Sequence, residues 1–429
     1  MSIDRRYFLK SAGLSLFGAG FVPTFLRRTA YALEQPGPSA RKKILVAVFQ
    51  RGAADGLNVV VPFGDRHYSP LRPSIAIAEP SSRSESIGQT ALDLDGFFGL
   101  HPSLAALKPL YDSRHLAIVH AAGSPDSTRS HFDAQDYMET ATPGLRSTAD
   151  GWLNRYLEAA PIAEATPFRA VAFAPRMPLT LLGPAPALAV DDVRNFRLRA
   201  LGPRGAPGST ELLQDDFEAM YASASDPMLE RTAQEMFEAA GTLDRIGVAD
   251  YQPANGAQYP NGQLGKSLRQ VAQLIKADVG LEVAFAEVSG WDHHVNEGGA
   301  QGQLANSLRQ FGDGLAAFHQ DLGGRMADIV VLTMTEFGRT ARENGNQGTD
   351  HGHANAMFVL GGPVKGGQVY GRWPGLGPDQ LYEGRDLALT TDFRDVFAEV
   401  AVRHLGATET HTVFPGFAIS AARFKGFLG

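Results

Sequence analysis

Six short runs limit how this chain can fold. Residues 43–49, 116–122, 169–173, 281–288, 328–334 and 356–360 are almost continuously apolar, rich in β-branched residues, and bounded by polar or small ones. A strand with one wet face alternates apolar and polar side chains, so continuous runs of this length predict strands covered on both faces. Amphipathic helical patterns lie between them, at 102–111, 129–140, 151–159, 227–243, 264–277, 303–322 and 392–405. Buried strands alternating with helices predict an α/β domain, a three-layer α/β/α stack around a mostly parallel central sheet. In such sheets functional loops gather beyond the carboxyl ends of the strands. Two stretches break the rhythm. Residues 185–209 are rich in Pro, Gly and Arg, and residues 247–262 are polar with repeated Gly, Asn and Gln. With the acidic helical segment between them they read as an inserted cap over about 185–262.

The N-terminus reads as an address. Arg5-Arg6 with Phe8-Leu9-Lys10 forms a twin-arginine pattern, followed by a mildly apolar stretch and the small-residue site Ala30-Tyr31-Ala32. The apolar stretch is about 16 residues long, too short to span a bilayer comfortably. This predicts export in folded form through the twin-arginine translocase, cleavage after Ala32, no stable membrane insertion afterwards, and a periplasmic or secreted protein. Residues 33–429 then form a single domain. The whole chain carries 39 Lys+Arg against 46 Asp+Glu, a net charge of −7, and residues 1–32 hold five bases and one acid, which leaves about −11 for the remainder. An acidic chain without a basic run binds nucleic acid and anionic membranes poorly. With no cysteine, stability rests on the core rather than on disulfides.

Chemistry-bearing residues collect where the apolar runs end. Asp55 follows the first run in a Gly-rich loop, well set to hold a metal, although Asp55-Gly56 is also an ordinary turn dipeptide. After the second run come Thr128 and Ser130, either of which would sit at or near the start of a helical pattern whose unpaired amides would favour an alkoxide nucleophile there. Ser130 could equally be a helix cap. Arg129 beside it could clamp an oxyanion. Asp292-His293-His294 follows the fourth run, Glu336 with Arg339 the fifth, and Asp350-His351-Gly352-His353 precedes the sixth. Carboxylates and imidazoles in strand-end loops are the usual donors to a divalent ion. Neighbouring side chains of an extended segment point to opposite sides, so His293 and His294 should not both serve one ion. The spacing of His351 and His353 puts both rings on one side if that segment is extended.

Phe49-Gln50-Arg51-Gly52-Ala53-Ala54-Asp55-Gly56, Ser130-His131-Phe132-Asp133-Ala134-Gln135-Asp136, Gly290-Trp291-Asp292-His293-His294, Thr335-Glu336-Phe337-Gly338-Arg339-Thr340 and Asp350-His351-Gly352-His353, with the leader, resemble the exported bacterial family of the domain of unknown function 1501. The resemblance covers nearly the whole chain. That family is distantly similar to the alkaline phosphatase and sulfatase superfamily, which implies an alkaline-phosphatase-like fold and a metal-dependent hydrolase of phosphate or sulfate esters, with a small anionic ester as substrate. Carried over, Asp55 would bind one metal and Ser130 would be the nucleophile. Asp292 with His293 or His294 would begin the other metal's shell, and His351 or His353 would complete it. Glu336 would add a carboxylate, and Arg129 or Arg339 would stabilise charge on the departing group. The ion would be divalent: zinc, calcium, magnesium or manganese. The chain departs from that plan where Glu336-Phe337 replaces an Asp-His pair and where Asp292, His293 and His294 are contiguous. It also lacks a cysteine to be oxidised. The resemblance therefore accommodates one metal, two, or a site without turnover, the last being a non-catalytic exported binding or assembly protein on the same fold.

Overall fold

The computed structural model describes residues 42–81, 88–146, 148–162, 165–193, 238–239, 241–243 and 251–429. The twin-arginine leader, and most of the expected cap with its helical segment at 227–243, lie outside them.

All six apolar runs form strands: β1 (Ile44–Arg51), β2 (Leu116–Gly123), β3 (Ala170–Phe173), β4 (Val283–Ser289), β5 (Ile329–Met334) and β6 (Asn355–Gly361). Their order across the sheet is β2-β6-β5-β1-β4-β3, with short edge strands Val369–Tyr370 and Thr391–Asp392 beside β2 and Leu188–Ala189 beside β3. Central β1 pairs in parallel with β4 and β5, placing Ala47 opposite both Phe285 and Leu332. β3 is parallel to β4, whereas β6 runs antiparallel to both β2 and β5. The sheet is mostly parallel, with β6 reversed.

Each buried strand feeds two cores. Ile44, Val46 and Val48 of β1 face one apolar cluster, and Leu45, Ala47 and Phe49 face another, as the two-residue period of a strand requires. The first cluster includes side chains of α3 (Gln263–Lys276) and α4 (Gln303–Leu322), numbered in chain order after α1 (His131–Thr140) and α2 (Trp152–Ala159). The second holds α2 and α5 (Phe393–Arg403), where Trp152 stacks on Phe397 at 4.8 Å between ring centroids. Helices on both faces make the three layers. The pattern at 102–111 splits into a tight turn, Pro102–Leu107, and a short helix, Lys108–Asp112. The kink falls at Leu104, whose φ of −94° and ψ of 21° leave the helical region, while Pro109 sits in the first turn of the short helix, where its missing amide is tolerated. Among the described residues no helix is long and apolar enough to cross a membrane.

A small antiparallel sheet, Val60–Val61, Leu92–Asp93 and Gly99–Leu100, is tied to the main body by two buried histidines. His120 on β2 has Nε2 3.1 Å from the Val60 carbonyl and accepts the Ala121 amide on Nδ1 at 2.8 Å. His101 reaches the Gly299 carbonyl at 3.1 Å and accepts the Ser103 amide at 3.0 Å. Each ring is satisfied only as a neutral imidazole, since a proton on Nδ1 would point at an amide hydrogen. Burial accordingly holds both pKa values down to about 4. In the unfolded chain these rings titrate near ~6.5, so between there and pH 4 the unfolded state binds more protons and stability rises with pH. We expect denaturant stability to be full above that upper limit and to fall as the pH is lowered toward 4, by roughly 2 kcal/mol per ring at pH 5. His120→Gln should start less stable at neutral pH yet lose less on acidification. A loss equal to the parent's in urea titrations at pH 7 and pH 5 would show that His120 does not titrate on unfolding.

Candidate metal centre

The reversed strand decides which loops meet. β1, β2, β4 and β5 point the same way, so the loops after them leave from one edge; β6 runs back, so the loop before it starts from that edge too. Five segments converge there: 52–55, 124–130, 290–295, 335–341 and 349–354.

Three imidazoles and a carboxylate face one another. Nε2 of His351 lies 3.0 Å from Nε2 of His131 and 3.0 Å from Nε2 of His294. Asp292 puts Oδ1 3.0 Å from His294 Nε2 and 3.4 Å from His351 Nε2, and Oδ2 3.5 Å from His131 Nε2. The donor atoms of His131, Asp292 and His351 all fit within 4.8 Å. Each ring is held from behind by an oxygen that accepts. His131 Nδ1 donates to Glu336 at 2.8 Å, His351 Nδ1 to the Arg129 carbonyl at 2.8 Å, and His294 Nδ1 to Asp350 at 3.1 Å. With those protons placed, neutral rings direct three Nε2 lone pairs at one point, an arrangement that repels unless a proton or a cation sits between them. Tetrahedral zinc with bonds near 2.0–2.1 Å separates its ligand nitrogens by about 3.3 Å, the scale observed.

Two buried groups hold this arrangement. The Arg339 guanidinium donates to the carbonyls of Ala53 at 2.7 Å, Gly52 at 2.6 Å, Thr349 at 3.0 Å and Trp291 at 3.3 Å, and to Asp292 Oδ1. Burial raises the Asp292 carboxyl, but the hydrogen bond and charge of Arg339 outweigh it and keep Asp292 below the usual carboxylate range. Glu336, fully buried, accepts from His131, from Gln135 at 2.9 Å and from the Gly52 amide at 2.8 Å. Burial pushes this carboxyl up, and those donors more than reverse it. The hydrogen bond to Glu336 in turn raises His131, whereas burial lowers His351. Gly52 is required where these loops touch. Its φ is +117°, and a Cβ there would lie 2.8 Å from the Asp292 amide nitrogen.

Of the residues expected from sequence, Asp292, His294 and His351 meet, and Glu336 stands directly behind His131. His293 is buried and its Nδ1 has no partner among the described residues. His353 stacks on Tyr382 at 4.3 Å between centroids instead of joining His351. The chain bends at His353, which removes the extended alternation that would have aligned the two rings. Both oxygens of Asp55 accept from Arg72, itself buried and bonded to the Thr340 and Ala341 carbonyls at 2.9 and 3.0 Å. A guanidinium therefore stands where a metal was expected. Beside Asp55, burial and the neighbouring carboxylate push Glu297 well above its usual range, so Glu297 is the protonated member of the pair. Arg129 turns its guanidinium to Asp386 at 2.7 Å and Glu383 at 2.6 Å, away from a free oxyanion role. Ser130 is the N-cap of α1, accepting the Asp133 amide at 3.5 Å. His131 was not singled out by sequence reasoning. Its signal was present: a histidine one position past the cap, opening the helix that follows a buried strand.

No curated protein matches the chain in sequence. Among solved structures it is similar to the C-terminal periplasmic domain of EcEptC from Escherichia coli in complex with Zn, with 9% identity, a TM-score of 0.39, and coverage of 91% of this chain and 93% of that one. It is also similar to the phosphonate monoester hydrolase of Agrobacterium radiobacter, with 10% identity, a TM-score of 0.29, and coverage of 88% and 78%. At these scores neither likeness decides the fold or the activity. The family described as "Protein of unknown function (DUF1501)" matches residues 42–415, and the chain belongs to it.

Proposed function

We propose that this protein is an exported, metal-dependent hydrolase of phosphate or sulfate esters, with one divalent ion held by His131, Asp292, His294 and His351. The observation that carries the reading is the convergence of three Nε2 atoms whose Nδ1 atoms are each anchored by an oxygen. Such anchoring fixes tautomer and orientation and raises ligand basicity. The ion would neutralise the charge of a bound ester. Ser130 is the hydroxyl we propose as nucleophile: it immediately precedes a ligand, at the positive end of a ten-residue helix. Arg339 and Arg129 act here through Asp292 and the loop at 383–386 rather than on the ester. A second reading is a non-catalytic exported binding protein that keeps the metal. The pairing of Asp55 with Arg72 favours it, because it removes the carboxylate that a second ion would need.

Metal content tests the centre. Protein purified without chelators should carry about one zinc or other divalent ion per chain, lost in His131→Ala or His351→Ala and retained in His293→Ala or His353→Ala. Glu336→Gln should weaken affinity by roughly 10- to 100-fold, the range seen for groups that hold a ligand from behind. Equal metal content in all five variants, measured by elemental analysis, would place the ion elsewhere.

Turnover separates the two readings. Ser130→Ala should lower hydrolysis of an aryl phosphate or sulfate by several orders of magnitude, with a stability loss of only ~1 kcal/mol, typical of a lost cap. A metal-loaded parent that hydrolyses neither ester supports the binding protein. A Ser130→Ala protein as active as the parent per folded molecule assigns Ser130 to capping alone.

Export rests on residues 1–32. Changing Arg5 and Arg6 to Lys should strand the precursor in the cytoplasm, read by fractionation. Unchanged export of that variant would overturn the twin-arginine route and leave the metal centre untouched.

A further inference from the structure

We infer that Arg51 and Gln135 are positioning residues of the metal centre, a line of donors that runs through Glu336 and fixes His131 as a ligand; the inference rests on the metal-dependent reading above. His131, Gln135 and Glu139 recur every four residues along α1, so they share one face of the helix. That face meets Arg51, the last residue of β1. Arg51 Nη1 donates to Gln135 Oε1 at 2.9 Å, and its Nη2 pairs with Glu139 Oε1 at 2.9 Å. Its Nε donates to Glu287 on β4 at 2.6 Å. One step nearer the imidazole cluster, Gln135 Nε2 donates to Glu336 Oε1 at 2.9 Å, and the same oxygen accepts from His131 Nδ1 at 2.8 Å.

The direction of this line is forced. A guanidinium only donates, and an ionised carboxylate only accepts. The amide between them therefore has a single orientation that satisfies both, oxygen to Arg51 and nitrogen to Glu336. Turned over, it would set donor against donor on one side and acceptor against acceptor on the other. His131, facing the same carboxylate, must carry its proton on Nδ1, which leaves the Nε2 lone pair for an ion. Glu336 is fully buried, and a buried anion is costly unless donors match it. Gln135 is the donor that α1 itself supplies besides His131. Because the two stand one turn apart on that helix, the bond that steadies Glu336 also holds α1 in register with the loop after β5. An apolar side chain at position 135 could pack the helix in place but could supply neither the donor nor the register.

The test titrates cobalt(II) into the full chain stripped of metal, with affinity read by competition against a chelator and ligand geometry by the visible absorption of the bound ion. Gln135→Met and Gln135→Glu should each bind cobalt at least about tenfold more weakly than the parent, the lower end of the range for groups that hold a ligand from behind, with an altered spectrum. Arg51→Lys should lose about as much, since one ammonium cannot serve Gln135, Glu139 and Glu287 together. The two positions act in series, so Arg51→Lys combined with Gln135→Met should bind no more weakly than Gln135→Met alone. Losses that multiply instead, to about a hundredfold, show two independent supports and overturn the line. Unchanged affinity and spectrum in folded Gln135→Met overturn it too and leave the metal centre standing. Should Gln135→Met fail to fold, Gln135→Asn takes its place, because it keeps the amide but is one methylene too short to touch both partners; parental affinity in that variant overturns the line equally. A parent that binds no cobalt removes the metal centre and the inference together.

Discussion

Arg339 is the interaction on which the site depends. Its guanidinium is rigid, permanently charged and forked, so one buried group can satisfy several carbonyl oxygens in fixed directions. Here it bonds the backbones of the loops after β1 and β4 and of the loop before β6, and adds Asp292. Lysine could not reproduce this, because a single ammonium lacks the spread of donors. The charge is matched by Asp292, which keeps the buried cation from being left unpaired. Because the same guanidinium orients a carboxylate of the cluster, loop structure and site geometry stand or fall together.

Arg72 has a similar role deeper in the molecule. It neutralises Asp55 and bonds the carbonyls of Thr340 and Ala341, fastening the loop after β1 to the one after β5. With Glu297 protonated beside it, Asp55 is the anion of the cluster, bonded by Arg72 and held down further by the charge of Arg339. Those groups are consumed in internal pairing, whereas the imidazoles of His131, His294 and His351 each turn Nε2 toward one another and toward Asp292. That contrast separates structural polar groups from groups able to bind something.

The class of fold was legible because it follows from local pattern. Six continuous apolar runs became six strands within one or two residues of their ends, since a strand covered on both faces has no polar positions to spare. The helix expected at 102–111 kept its place but kinked at Leu104. Neither the reversal of β6 nor the neighbours of each strand can be read this way, because pairing order depends on which faces pack best in three dimensions.

The same division holds for the site. The chain's sequence by itself determined that Asp, Glu and His would stand in loops at strand ends, because buried strands leave polar residues only beyond their termini. Only the tertiary structure decided that His131 would join Asp292, His294 and His351, that His353 would turn aside onto Tyr382, and that Asp55 would meet Arg72. These outcomes join residues from 17 to 220 positions apart. They depend on where a reversed strand and two buried guanidinium groups place the loops, and such long-range directions leave no mark on local residue spacing.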